Sequence, residues 1–203
     1  MAADLGTMKA RIAREVHRTD LAADIANAIN EAIRFYRSRN FEFTEKVGAI
    51  TTAANTASYT SPGDIGEVLN IRATAGGRSY LADPISFNEY QALSGAGSPA
   101  GQPQFYALYA KRLYIYPTPD AAYGLEVAYQ QRAAAPSADS DVTVWTDEAE
   151  PLIRSRAKRL LCRDLILDPQ GSSAAAEAEN EALSMLMSES IRLQDTGRLA
   201  SHW

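Results

Sequence analysis

Few side chains in this sequence have the type and spacing that chemistry requires. His17 and His202 are the two histidines. Neither has a second histidine, a cysteine or a carboxylate at ligand spacing, so the pattern predicts no metal site. Cys162 is the single cysteine. It falls beside an apolar helical face, where a thiol is expected to be buried and inert rather than nucleophilic. No G-x-S-x-G elbow, H-E-x-x-H helix, P-loop or dinucleotide fingerprint occurs. Gly95-Ala96-Gly97 lacks the preceding strand and following helix that a phosphate cradle needs. Glycoside hydrolysis asks only for two carboxylates, which Glu42, Glu45 and Asp64 could supply. With 25 acidic residues in the chain, such pairs also arise by chance.

Charge and aromatic patterning carry more. Arg154, Arg156, Lys158, Arg159 and Arg163 surround one apolar helical stripe. Three readings stand: a solvated, salt-bridged helix surface, a subunit interface, or a nucleic-acid patch. In the second, the partners are Glu177, Glu179 and Glu181 of a neighbouring copy. The ten tyrosines outnumber the five phenylalanines, and most lie between Tyr80 and Tyr129. Tyrosine suits a boundary that is apolar on one side and wet on the other. It therefore fits a half-exposed sheet face and a protein interface equally. Trp203 stands on a polar tail, where it is either loose or docked in a partner's pocket as an anchor.

These residues need elements to hold them. Met8, Ile12 and Val16 recur at helical spacing and predict a helix over 7–18 capped by Thr7. Leu21, Ile25, Ile29, Ile33 and Tyr36 form one stripe of a second helix over 21–39. Beyond Asn40 the helical period is lost. Strands are predicted near 41–52, 56–60, 67–74 and 78–82, with Gly76-Gly77 as a hairpin turn. A short helix follows over 86–93, then a loop over 94–102. Residues 101–132 read as a three-strand meander. In it Leu113 and Ile115 face one way and Tyr114 and Tyr116 the other, and Leu125, Val127 and Tyr129 repeat the alternation. Asp147 and Glu150 have capping-box spacing, Pro151 falls in the first turn, and Asp168-Pro169-Gln170-Gly171 closes the helix. A last helix runs over 172–194.

The expected fold is therefore α+β. A four-helix core (1–40 and 147–195) carries a β-rich antiparallel-meander insertion (41–132) between the second and third long helices. A linker (133–146) and a C-terminal tail (196–203) complete the plan. A chain of 203 residues can bury roughly 70% of its unfolded surface. It has no run of ~18 apolar residues to span a membrane and no signal-peptide pattern at its start. One cysteine fits assembly in a reducing cytoplasm. A net charge of −5 suits solubility and opposes tight DNA binding, which needs clustered cations.

Four segments together resemble the head-to-tail adaptor (connector) proteins of tailed bacteriophages. They are LGTMKARIAREVHRTDLAADIANAINEAIRFYRSRNFEF, TASYTSPGDIGEVLNI, GQPQFYALYAKRLYIYPTPDAAYGLEVAYQQR and VWTDEAEPLIRSRAKRLL. The resemblance implies a structural virion protein of the neck, assembled in the host cytoplasm. It implies a ring of about 12 copies beneath the portal, joining the DNA-filled head to tail or nozzle proteins and lining part of the DNA channel. It implies no enzymatic activity and no cofactor. On that basis Arg198, Leu199, His202 and Trp203 are expected at the portal. Arg154, Arg156, Lys158, Arg159, Glu177, Glu179 and Glu181 are expected between subunits, and Tyr106, Tyr109, Tyr114 and Tyr116 on the tail side. A tail-associated cell-wall hydrolase and a non-virion oligomeric scaffold are the alternatives.

Overall fold

The computed structural model describes residues 3–95, 97 and 99–199, with the backbone alone for 193–199. In chain order the elements are α1 (Leu5–Glu15), α2 (Ala22–Tyr36), a 3-10 turn (Glu42–Thr44), β1 (Glu45–Thr51), β2 (Ser58–Thr60), β3 (Ile65–Ala75), β4 (Arg78–Pro84) and α3 (Phe87–Gly95). There follow β5 (Ala100–Gly101), β6 (Phe105–Tyr109), β7 (Arg112–Tyr116), β8 (Thr118–Pro119), β9 (Gly124–Gln131), α4 (Val144–Asp147) and α5 (Glu150–Leu161). A π-helical turn (Cys162–Ile166) and α6 (Pro169–Leu199) complete the order. Two compact units result. One joins the residues up to Thr44 to those from Ala133 onward; the other is Glu45–Arg132.

In the helical unit, α1 starts earlier than Thr7. The Asp4 carboxylate accepts the Thr7 backbone N–H at 2.7 Å, so Asp4 is the cap. Leu5, Met8 and Ile12 are buried. His17 is not in the helix. It has φ 54°, the left-handed residue that follows a helix end. In α2 the predicted stripe is real: Ile25, Ile29, Ile33 and Tyr36 are buried with Ala28 and Ala32. The capping box belongs to Thr143 and Thr146 of α4, while Asp147 closes α4 and Glu150 opens α5. Residues 133–146, expected as a linker, carry Trp145. It is 1% exposed, donates its indole N–H to the Ala133 carbonyl at 3.3 Å, and meets the rings of Phe41 and Phe43 edge-on. Pro169 begins α6 instead of ending α5. Its missing N–H is harmless at a first helical position, and the chain has already turned at Leu167, with φ 57°.

The sheet unit overturns the expected fold class. Instead of a meander attached to a four-helix core, it is a curled, mixed seven-stranded sheet, β1-β9-β3-β4-β6-β7-β2, and the described residues form six α-helices in all. Of the predicted meander only the β6–β7 hairpin pairs as expected. β9 leaves it and lies between β1 and β3, antiparallel to both. β4 and β6 are parallel, as the α3 crossover between them allows. Alternation along a strand names its two faces but not its neighbour, so the local pattern was right where the topology was not. Leu113, Ile115, Leu125, Val127 and Tyr129 are buried as the alternation required, together with Ile71, Ala73 and Tyr106. Among the described residues no helix is long and apolar enough to cross a membrane.

Candidate functional site

The charged residues of α5 divide by helical geometry. Residues four apart share a face, and residues two apart do not. Arg154 and Lys158 therefore turn together toward α1, where both reach Glu15, Lys158 at 3.3 Å. Arg154 Nε also stands 3.1 Å from Glu150, and Arg11 stands 3.2 Å from the same oxygen. These are close charge contacts rather than aligned hydrogen bonds. Glu150 is buried and thereby paired with two cations.

Arg156 and Arg159 turn the other way, onto α6. Their guanidinium groups donate to Glu179 at 2.8 and 3.1 Å. The Tyr36 hydroxyl donates to the same carboxylate at 2.5 Å. Glu179 is 3% exposed. Burial pushes its carboxyl up, but the hydrogen bonds from Tyr36, Arg156 and Arg159 outweigh burial and hold it below the usual carboxylate range. Burial and the bond to Glu179 push the Tyr36 phenol up to about 12. Arg156 also lies 3.4 Å above the centre of the Phe35 ring, a cation–π contact. Of the three glutamates expected at a neighbour, Glu179 is thus bound within its own chain. Glu177 and Glu181, set four apart on another face of α6, are exposed.

The four tyrosines expected on one side do not share a face. Tyr106 is buried in the sheet core. Tyr109 is 53% exposed, and Tyr114 and Tyr116 are half-buried. Phe87 of α3 stacks on Tyr109 with ring centres 4.1 Å apart and leans on Tyr114 at 4.9 Å. Tyr90 meets Tyr114 at 5.1 Å. These rings fasten α3 to the outer face of β6 and β7. Of the residues expected at the portal, His202 and Trp203 lie outside the described residues, as do the side chains of Arg198 and Leu199.

Two of the three carboxylates with the potential for glycoside hydrolysis, Asp64 and Glu45, are engaged by neighbours. Asp64 accepts from Lys46 at 3.1 Å and from the Tyr129 hydroxyl at 3.0 Å. Burial raises its carboxyl, and these two donors pull it below the usual range. Glu45 accepts from the Gln130 amide at 3.2 Å. A general acid needs a raised carboxyl, and Asp64 is held the other way. Burial, with the nearby Asp168 charge, pushes the Cys162 thiol up, away from the reactive thiolate. Sequence spacing marks Glu150 only as a capping residue and Tyr36 only as part of the α2 stripe, and it does not distinguish Glu15 or Phe35 at all. For Glu179 a signal existed, since it lies four residues after Ala175 and three before Ala182, on the apolar stripe of α6.

The charged groups described above clamp helices to one another, and the aromatic rings clamp a crossover helix to its sheet. A family model described as SU10 adaptor protein matches residues 3–201, and the chain belongs to that family of bacteriophage adaptors. No curated protein matches it.

Proposed function

We propose that this chain is the head-to-tail adaptor of a tailed bacteriophage. Copies of it form a ring, a dodecamer, beneath the portal, joining the filled head to tail or nozzle proteins and forming part of the DNA channel. The family match across residues 3–201 carries this reading. Two physical features support it. A net charge of −5 lets duplex DNA slide past without the phosphate contacts that raise affinity steeply. The clamps on Glu15, Glu150 and Glu179 fix the angles between α1, α2, α5 and α6 before any partner arrives, which lowers the ordering cost of assembly.

In this reading Arg198, Leu199, His202 and Trp203 reach the portal, and Tyr109, Tyr114 and Tyr116 look toward the tail. Tyr106, already buried, is omitted. The ring occupies the virion neck. An amber mutation in the gene tests the function. The expected product is DNA-filled heads without tails, rescued by the protein supplied in trans. Tailed, infectious particles made without the protein would refute the proposal.

A further inference from the structure

β1 is an edge strand with little to guard its edge. It ends the sheet order, with β9 on one side and no strand on the other. Just past its end, Thr52 donates its backbone N–H to the Tyr123 carbonyl, in register with the β1–β9 pairing. Bonding alternates along an antiparallel strand. The backbone groups of Lys46, Gly48 and Ile50 therefore serve β9, and those of Glu45, Val47, Ala49 and Thr51 point away from it. Among the described residues these four have no backbone partner on that side. Native sheets guard such a row with proline, a bulge or a free charge. β1 has no proline, and its register with β9 is unbroken. Its two charges are tied down, Lys46 to Asp64 and Glu45 to Gln130. Val47 is 70% exposed, and Ala49 is exposed on the same face.

The strand is its own complement. Laid antiparallel against a second copy with Gly48 opposite Gly48, Val47 falls opposite Ala49 and Glu45 opposite Thr51. In this register all four outward residues exchange their N–H and C=O bonds. The exposed apolar side chains meet at the centre, Val47 on Ala49 in both directions. On the other face Lys46 falls opposite Ile50, so no like charges oppose. Glycine at the axis adds no side chain to that face, where a Cβ would already meet Tyr129 and Pro62 at 3.4 and 3.5 Å. A slip of one residue sets outward groups against groups that serve β9, and a slip of two leaves one outward residue unpaired on each copy. The other edge of the sheet is a poorer match. β2 is Ser58–Thr60, and bonds from Ile115 to Ala57 and from Ser61 to Lys111 leave only Ser58 and Thr60 pointing outward.

We propose that the unassembled protein is a dimer in which the β1 strands of two copies pair antiparallel about Gly48. The contact is isologous, the same patch serving on both copies. A two-fold contact of this kind cannot pass round a cyclic ring. It belongs to the protein before assembly, where it covers an edge that would otherwise template aggregation. One strand pair is small beside the roughly 1,600 Å² of a stable complex, so the dimer opens when a larger contact replaces it. The dimer itself stands apart from the ring reading above.

Sedimentation of the purified full chain over a concentration series tests it. The expected result is a reversible dimer, twice the mass of one chain, that Ala49→Pro abolishes. Proline at this position removes an N–H that points away from β9, so the β1–β9 ladder is kept. A thermal melt by circular dichroism shows that the variant is folded. A second measurement does not depend on that variant. Val47→Cys protein mixed with a size-tagged Ala49→Cys protein should give a covalent heterodimer under mild oxidation, the native Cys162 being buried. A parent that stays monomeric at every concentration overturns the inference. So does a dimer that folded Ala49→Pro leaves intact, or one that yields no heterodimer. Cross-linking of Val47→Cys to another virion protein in particles, with no dimer of the free chain, assigns the edge a different strand and also overturns it. Rings built from a monomeric protein leave the ring reading standing.

Discussion

Glu179 illustrates how one side chain is fixed by its place on a helix. Its neighbours Glu177 and Glu181 face solvent, while it turns inward to Arg156, Arg159 and Tyr36. Its folded carboxyl lies below the ordinary value, so the unfolded chain binds more protons on the acid side. The stabilisation is complete above the unfolded value of about 4.3 and is lost as the pH falls through the folded value. Glu179→Gln should therefore lower stability by about 2–3 kcal/mol at neutral pH and flatten its decline below that point. Urea titrations between pH 3 and 7 would show both effects; an acid limb identical to that of the parent would contradict the assignment. The reverse sign holds for Tyr36, whose raised phenol keeps its contribution below pH 10 and loses it toward about 12. Identity and spacing revealed that Glu179 was part of a charged constellation. They could not reveal that its partner was intramolecular, because Arg156 and Glu179 stand 23 positions apart across a turn whose geometry sets the meeting.

At the scale of elements, what could be read depended on the range of the signal. The α2 stripe and the β7 alternation are local, and both appear in the structure as expected. The place of β9 is set by strands far along the chain, β1 and β3. No local pattern encodes that choice, and the three-strand meander reading failed there. The start of α6 at Pro169 failed for another reason: Asp-Pro-x-Gly can close one helix or open the next, and the π-helical turn had already closed the first. Gly66 tests the pairing directly. It sits where the β3–β9 register shifts between Ile65 and Glu67, and an added Cβ would come within 2.9 Å of the Gln130 carbonyl oxygen. Backbone cannot yield there as a side-chain tip would. Gly66→Ala should cost about 1–3 kcal/mol, seen as a lower melting temperature with early loss of amide protection in β3 and β9. An unchanged melt would mean that the bulge is absent in solution.

For the whole molecule, family membership says more than any one residue, because an adaptor's work is spread over surfaces. The described helices include none long and apolar enough to cross a membrane, the net charge disfavours a DNA clamp, and the wording of four segments points to the family that the match over residues 3–201 establishes. The surfaces themselves were less legible, since an exposed arginine reads alike whether it meets solvent, DNA or a neighbour. Cryo-electron microscopy of the intact virion neck tests the account most directly. It should show this chain as a closed ring of identical copies between portal and tail, with the DNA path through its centre. Particles whose portal meets the tail with no density for this chain would contradict it.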